Sequence, residues 1–327
     1  MLFTLPTVYP PTLQRLAGES VVELFTDLAA VAPYTTERIQ TWLKSLFGQV
    51  ALEDVFMRED AYPLLLLPWW LEASVREPDS SLQRGLSTSS ISGYLYIRLI
   101  DNLMDGDAPA DVGLLPALSL FHTWFTEPFH QWFPPGHPFW EDFRNIWFDT
   151  AELTLRDSAL PSINREQFET ITARKTGAAK IPIAAVAHAL GHPEQLADWN
   201  RLIDRFGCWH QMINDLFGWQ KDLRNGLITY IQSEGRRLTN SPDSLQEWFF
   251  GPGFDWATAQ LDAWMSEIQD LAVGIGSPDL LSYLEKRRLH LGERMAKVRL
   301  GLGALASLAT VADLGETKDK PQAESAR

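Results

Sequence analysis

Apolar residues recur at helical spacing along nearly the whole chain, and this pattern most limits its fold. They fall three or four positions apart between turn-forming residues, whereas strand-like alternation is scarce. The pattern predicts helices over residues 12–31, 36–49, 62–76, 88–105, 114–133, 138–156, 164–190, 195–224, 242–250, 254–274 and 277–299. Helices joined by such short loops form a bundle. We therefore predict an all-α fold with a single domain over residues 1–314 and a disordered polar tail over residues 315–327.

The net charge limits which binding partners are expected, and the single cysteine limits which disulfide bonds can form. The chain has 327 residues and a formal net charge of −14, which argues against a nucleic-acid partner and against a polybasic membrane-binding surface. Its most apolar runs, residues 64–71 and 301–314, are too short to span a membrane. Because Cys208 is the only cysteine, a disulfide framework is excluded. We expect a cytoplasmic protein without an integral membrane segment, and both a monomer and a homodimer stay open.

A first acidic motif lies at the end of the helix predicted over residues 88–105. Asp101 and Asp105 are four positions apart and share one face of that helix. The surrounding residues 99–104 are mostly apolar, so we expect the two carboxylates to lose hydration and to repel each other. A divalent cation with oxygen ligands would relieve that cost. The alternative is a solvated helix end that carries three aspartates, Asp107 included.

A second motif lies in the helix predicted over residues 195–224. Asn214, Gly218 and Asp222 are spaced four apart and form one stripe, and Asn and Asp supply the oxygen ligands that Mg²⁺ prefers. Lys221 and Arg224 lie within one turn and can hold phosphate oxygens. A glycine inside a helix costs about 1 kcal/mol relative to alanine. Gly218 therefore indicates either the close approach of a ligand or plain helix packing.

These two segments resemble the metal-binding motifs of the class I isoprenoid synthases. Residues 101–105 resemble the first aspartate-rich motif, with Asn102 where a second Asp is usual. Residues 214–222 resemble the second motif of terpene cyclases, in which Gly218 replaces a hydroxyl residue and Asp222 replaces Glu. Both stretches also resemble phytoene synthases, but that family has Asp at the position of Gly218. The difference weakens the likeness to coupling enzymes.

The resemblance implies a class I isoprenoid synthase helical bundle around a central cavity, with the two motifs facing each other across its mouth. It implies three Mg²⁺ ions, of which two are bound at the first motif and one at the second. The metal ligands that it implies are Asp101, Asp105, Asn214, Gly218 and Asp222. Whether Asp107 and Asp215 also bind metal stays open.

The resemblance also implies residues that contact the diphosphate group. Terpene cyclases carry a diphosphate-sensing arginine on the helix before their second motif, followed by a break in that helix that triggers ionisation. Arg174 matches that position, Lys175 competes with it, and Gly177 and Ala178 fall near the break, with Pro182 disrupting the helix beyond. A surface cationic face is the alternative. The implied catalytic residues are Asp101, Asp105 and Arg174, and the implied diphosphate ligands are Arg174, Lys175, Lys221 and Arg224.

The activity implied by the resemblance is that of a terpene synthase. Such an enzyme uses Mg²⁺ to ionise a prenyl diphosphate, here a C15 or C20 substrate that is linear or already cyclised, and releases a terpene hydrocarbon or alcohol. One alternative is a squalene- or phytoene-type enzyme, or a chain-elongating prenyltransferase. Another is a catalytically degenerate helical protein that kept the fold and lost the metals.

Overall fold

The protein is all-α in its computed structural model, as the apolar spacing predicts. The structure describes residues 8–106, 110–239 and 244–316, with side chains up to residue 301, and these ranges contain no strand. None of the helices in these ranges is both long enough and apolar enough to cross a membrane. Asp107 and residues 317–327 of the predicted tail lie outside the described residues. Residues 315 and 316, also assigned to that tail, belong instead to the last helix.

Fourteen α-helical segments account for most of the described chain. Their bounds are α1 Pro11–Val31, α2 Pro33–Phe47, α3 Leu52–Phe56, α4 Leu66–Val75, α5 Ser80–Asp105, α6 Leu115–Trp132, α7 Phe139–Ser158, α8 Arg165–Gln167, α9 Lys180–Leu190, α10 Leu196–Arg224, α11 Tyr230–Thr239, α12 Ser244–Phe250, α13 Pro252–Ile275 and α14 Pro278–Glu316. The sequence pattern did not predict the short α3 or α11. The first of these has only five residues, which is too few for a helical period to repeat.

Helix α5 begins earlier than the apolar pattern predicts, because polar signals define its start. The Asp79 side chain accepts hydrogen bonds from the backbone N–H groups of Ser81 and Leu82 at 2.8 and 2.9 Å, which satisfies donors that a helix start leaves unpaired. The next turns of α5 are rich in serine. Several of these serines are buried, but because they are polar the turns show little apolar periodicity. Small residues permit close packing on α6, since a Cβ at Gly93 would lie 2.9 Å from Phe125.

The continuous helix predicted over residues 164–190 is broken in the structure. After α8 the chain forms a π-helix over Phe168–Thr172 and a 3₁₀-helix over Ala173–Ala179, and regular α-helix resumes only with α9. Such interruptions cluster at functional sites and at hinges. We call residues 168–179 the broken segment. Pro182 does not disrupt a helix here, because it lies in the first turn of α9, where a backbone N–H is not required.

The broken segment lies between α7 and α10, the helix that carries the second motif. A Cβ added at Gly207 of α10 would lie 2.8 Å from the carbonyl oxygen of Ala173 and 2.8 Å from Thr176 Oγ1. A Cβ at Gly177 would lie 3.0 Å from Thr150 Oγ1 of α7. The segment is therefore packed closely against helices on both sides. On its other faces α10 packs on α13, and α13 packs on α14.

Candidate functional site

The two aspartates of the first motif are exposed, which corrects the expectation that apolar neighbours bury them. Asp101 keeps half of its side chain accessible, and Asp105 is also exposed. The buried face of this turn is formed instead by Leu99 and Asn102. Asn102 Oδ1 accepts a hydrogen bond from Trp42 Nε1 at 3.2 Å. Asn102 therefore ties α5 to α2, and both carboxylates stay accessible to a cation from solvent.

Asp101 already has one cationic neighbour. Arg98 Nη1 lies 3.1 Å from Asp101 Oδ2, one turn earlier on the same helix, and both side chains are partly exposed. Exposed ion pairs of this kind contribute little to stability, typically less than about 1 kcal/mol. A divalent cation can displace Arg98 at small cost.

In the second motif Gly218 makes room for Asp222. A Cβ at Gly218 would lie 3.3 Å from Asp222 Oδ2, so a larger residue would crowd the carboxylate. Gly218 itself has no side-chain oxygen to offer a metal. Asn214 is exposed and Asp222 is half-buried. The helix ends at Arg224, and Gly226 adopts the left-handed conformation with φ 70° just beyond it.

One residue of the first motif, Asp105, acts electrostatically on Asp222 of the second motif, although the two are far apart in sequence. Burial raises the pKa of Asp222, the Lys221 ammonium opposes that rise, and the negative charge of Asp105 raises the pKa further. Asp105 therefore lies close enough to Asp222 for the two carboxylates to repel each other. Hard oxygen ligands that repel each other at a partly solvated position suit a divalent cation such as Mg²⁺.

Asp215, for which a metal-binding role stayed open in the sequence, is a buried carboxylate that interacts electrostatically with Asp222. Its side chain is 3% exposed. Oδ1 accepts a hydrogen bond from Gln211 Nε2 at 2.8 Å, and Oδ2 has no hydrogen-bond partner. Burial raises the pKa of Asp215 to about 7, and Asp222 adds to the rise while Lys175 opposes it. Asp215 thus extends the acidic stripe of α10 into the interior.

We expect the Asp215→Asn variant to be more stable than the parent at about pH 8, by a margin that shrinks as the pH falls to about 5. Folding raises the pKa of Asp215 from 3.8 to about 7, so the folded state binds this proton more tightly than the unfolded state does. The carboxyl therefore favours folding most at low pH, and that contribution is lost as the pH rises through this range. Asn has no proton to lose. Urea denaturation at both pH values measures the margin, and an equal margin would contradict a buried titrating Asp215.

Lys175 is the cation of the broken segment that faces the acidic stripe. Its Nζ lies 2.6 Å from Asp157 Oδ2 at the end of α7, and Thr172 Oγ1 donates to the other oxygen of Asp157. The charge of Lys175 also lowers the pKa of Asp215. No role was predicted for Asp157, because Lys175 and Thr172 come close to it only in the folded chain.

Arg174 points to a different place from Lys175. Its guanidinium pairs with Asp149 at 3.5 Å and with Asp204 at 3.6 Å. It lines a polar cavity of about 580 Å³ between the broken segment, α10 and α13. Asp204 precedes Asn214 by almost three helical turns, or about 15 Å of helix axis. The structure thus brings Lys175, and not Arg174, beside the second motif.

Lys221 and Arg224 lie in the last turn of α10 and are both exposed. Cations at a helix C-terminus interact favourably with its backbone dipole. Lys221 lies near Asp222, whose pKa it lowers. Both cations therefore flank the acidic stripe and face solvent.

The basic run at residues 286–288 serves mainly structural contacts. Arg287 is buried and donates to the carbonyl oxygens of Ala61 at 2.6 Å and Asp60 at 3.3 Å, and to the Tyr283 hydroxyl at 3.0 Å. Arg288 pairs with Glu285 at 2.7 Å on the surface. Arg287 thus fastens the loop of residues 57–65 to α14.

The candidate oxygen donors of the two motifs do not form a compact metal-binding group. Within residues 8–106, 110–239 and 244–316, no three His, Cys, Asp or Glu side chains converge as a group that could hold an ion. The donor chemistry nevertheless fits Mg²⁺, since carboxylate and amide oxygens are its usual protein ligands. No protein-family model and no curated protein matches the chain. The resemblance to isoprenoid synthases therefore rests on the motifs themselves.

Proposed function

We propose that the protein is a class I terpene synthase that ionises a prenyl diphosphate. The observation that carries this proposal is the electrostatic repulsion between the exposed Asp105 and the half-buried Asp222, one from each motif. Cations from two directions, Lys175 and Lys221, act on the same stripe of carboxylates. Carboxylates with ammonium groups beside them are suited to binding a polyanion, because metal ions can lie between the carboxylates and the polyanion.

Asp101, Asp105, Asn214 and Asp222 are the residues that would hold Mg²⁺ in this proposal. Asp215 could join from the interior, because one of its oxygens has no hydrogen-bond partner. Bound Mg²⁺ would neutralise the diphosphate and stabilise the negative charge that develops as it leaves. Gly218 supplies space and not a ligand, since Asp222 lies against it.

The cations of the chain would bind the phosphate oxygens directly. We assign this role to Lys175, Lys221 and Arg224, because the first two act on the acidic stripe and Arg224 follows within one turn. Arg174 is left out of this set, since it pairs with Asp149 and Asp204 elsewhere. Ammonium and guanidinium groups make charge-assisted hydrogen bonds to phosphate that strengthen as its charge grows.

The proposed reaction begins with heterolysis of the bond between the allylic carbon and the diphosphate oxygen. The electron pair leaves with diphosphate, and an allylic cation remains. Loss of a proton from that cation gives a hydrocarbon, and capture of water followed by proton loss gives an alcohol. Aromatic faces stabilise carbocations in water-poor surroundings, and Trp209 and Phe217 line a cavity on α10 next to the second motif.

Turnover assays with and without Mg²⁺ test the proposal. The purified full chain is incubated with C10, C15 and C20 prenyl diphosphates and with a pre-cyclised C20 diphosphate, and extracts are examined by gas chromatography–mass spectrometry. We expect Mg²⁺-dependent release of diphosphate with products of unchanged carbon number. Products of doubled or C5-extended length would instead indicate a coupling or elongating enzyme. The absence of Mg²⁺-dependent turnover on every substrate would contradict the proposal.

A further inference from the structure

The residue stripe of the second motif extends into the interior of the bundle as far as His210. Positions 210, 214, 218 and 222 are spaced four apart, so they lie along one face of α10. His210, Asn214 and Gly218 all line the same cavity of about 280 Å³ between α10 and α14. At 1.5 Å of rise per residue, His210 lies about 6 Å further along the helix axis than Asn214. A prenyl chain whose diphosphate is bound at Asn214 and Asp222 would therefore extend towards His210.

The surroundings of His210 are aromatic and apolar. Its ring meets the Tyr62 ring edge-on, with the ring centres 5.3 Å apart, and lies nearly parallel to the Phe206 ring at 6.4 Å. Trp209 and Ile213, which also line the cavity, are buried. These side chains offer water few hydrogen-bond partners, so this end of the cavity favours an apolar chain.

One ring nitrogen of His210 lacks a partner. The Nδ1 atom is buried and forms no hydrogen bond within the described residues. Burial, with a smaller effect of the Arg287 charge, lowers the pKa of His210 to about 4, although Asp60 opposes the fall. The imidazole is therefore neutral near pH 7, and in the tautomer with its proton on Nε2 the Nδ1 atom carries a free lone pair. A buried polar atom without a partner costs free energy, so its presence requires an explanation.

The other ionisable groups of the cavity are less suited to accept a proton from a substrate. His290 Nδ1 lies 3.5 Å from a glutamate carboxylate, and the exposed Asp60 is paired with an arginine at 3.4 Å. Arg287 and Arg294 are protonated at neutral pH and cannot accept a further proton. Among the described residues that line the cavity, His210 thus combines a neutral base with an unpartnered, buried nitrogen.

We propose that His210 is the catalytic proton acceptor that ends the reaction, and that the product is consequently a hydrocarbon. The proposal rests on the proposed function, which supplies the allylic cation and the diphosphate. A C–H bond next to the cationic carbon breaks, its electron pair forms the new C=C bond, and the proton binds to Nδ1. Because a carbocation is a very strong acid, a weakly basic imidazole is sufficient. The imidazolium then passes its proton to the released diphosphate as the products leave.

Product analysis of His210 variants tests the proposal. The full chain, His210→Gln and His210→Phe are incubated with Mg²⁺ and each prenyl diphosphate that the parent turns over. Gln keeps a polar side chain and Phe keeps a flat ring, but neither accepts a proton at neutral pH. His210 acts after the C–O bond has broken, so diphosphate release should stay within about threefold of the parent while the parent hydrocarbon falls at least about tenfold. Alcohols, or hydrocarbons with the double bond elsewhere, should take its place.

The matched control is His290→Gln, which removes a partly exposed imidazole from the same cavity and should give the products of the parent. Circular dichroism confirms that each variant is folded. An unchanged hydrocarbon profile in both His210 variants would overturn the proposal and leave the released diphosphate as the acceptor. A parent that makes only alcohols, or folded His210 variants that no longer release diphosphate, would also overturn it. Absence of turnover by the parent on every substrate would instead contradict the proposed function, and the role of His210 with it.

Discussion

The Asp101→Asn variant is expected to lose Mg²⁺-dependent turnover by about 100-fold or more, while its thermal stability stays close to that of the parent. Asn keeps the shape of the side chain and removes the negative charge that attracts a cation. The side chain is half exposed and pairs only with the exposed Arg98, so its charge contributes little to folding. Rates of diphosphate release at saturating Mg²⁺ and substrate measure the change.

A matched control is Asp27→Asn on the exposed surface of α1. It removes the same charge from the same residue type, so its turnover should equal that of the parent. If Asp101→Asn also retained full turnover, the first motif would have no part in the reaction. An Mg²⁺ titration adds a second readout, because loss of a ligand raises the Mg²⁺ concentration needed for half-maximal rate.

The Gly207→Ala variant is expected to lose about 2 kcal/mol of unfolding free energy. The added methyl group would lie 2.8 Å from the Ala173 carbonyl oxygen and from Thr176 Oγ1. Thr176 Oγ1 also donates to that carbonyl oxygen, so neither atom can move without disturbing the broken segment. Alanine gains about 1 kcal/mol over glycine in a helix interior, and the clash outweighs that gain. Urea denaturation monitored by circular dichroism measures the loss.

Gly18→Ala is the control for helix propensity. Gly18 lies inside α1, and a Cβ there would meet nothing within 4 Å. This variant should therefore gain up to about 1 kcal/mol. Were Gly207→Ala to gain stability as well, close packing between α10 and the broken segment would be disproved. The position of the Lys175 side chain is a second readout. Displacement of the broken segment would move its ammonium group away from the carboxylates of Asp157 and Asp215.

Helical spacing was sufficient to predict the fold class and most long helices. Residues 12–31 and 195–224 were predicted within one residue of α1 and α10, because both carry regular apolar stripes between clear turn signals. Helix α5 was predicted too short, since its first turns are built from buried serines that carry no apolar signal. The local spacing of apolar residues indicates burial only where the buried residues are themselves apolar.

Apolar spacing did not predict the broken segment, although the family resemblance placed a helix break near Gly177 and Ala178, which lie in its 3₁₀ part. Residues 164–190 have helical spacing throughout, and the departure from regular helix coincides with the close approach of Gly207 from α10. A contact between residues far apart in sequence does not change the local spacing of apolar residues, so that spacing cannot predict it. The same limit applies to Lys175 and Arg174, which are adjacent in sequence but face Asp157 and Asp204 on different helices.

The acidic motifs were predicted by residue type and spacing, but their surroundings were not. Apolar neighbours around Asp101 indicated a buried carboxylate, whereas the buried polar residue of that turn is Asn102, bound to Trp42. Helical position decides which of two adjacent side chains faces the core, and the sequence alone allowed either choice. The burial of Asp215 and the unpartnered state of its Oδ2 atom are properties of the fold, which residue type and spacing do not reveal.

The contact between Arg287 and the loop of residues 57–65 forms only late in translation, because Arg287 is synthesised long after the loop. The carbonyl groups that Arg287 binds belong to residues 227 and 226 positions earlier in the chain. At the usual elongation rate of about 5–20 residues per second, that loop waits roughly 10–45 s for its partner to be synthesised. A ribosome that stalls before α14 therefore holds a nascent chain in which the cavity lined by Trp209 and Phe217 of α10 lacks the wall that α14 provides.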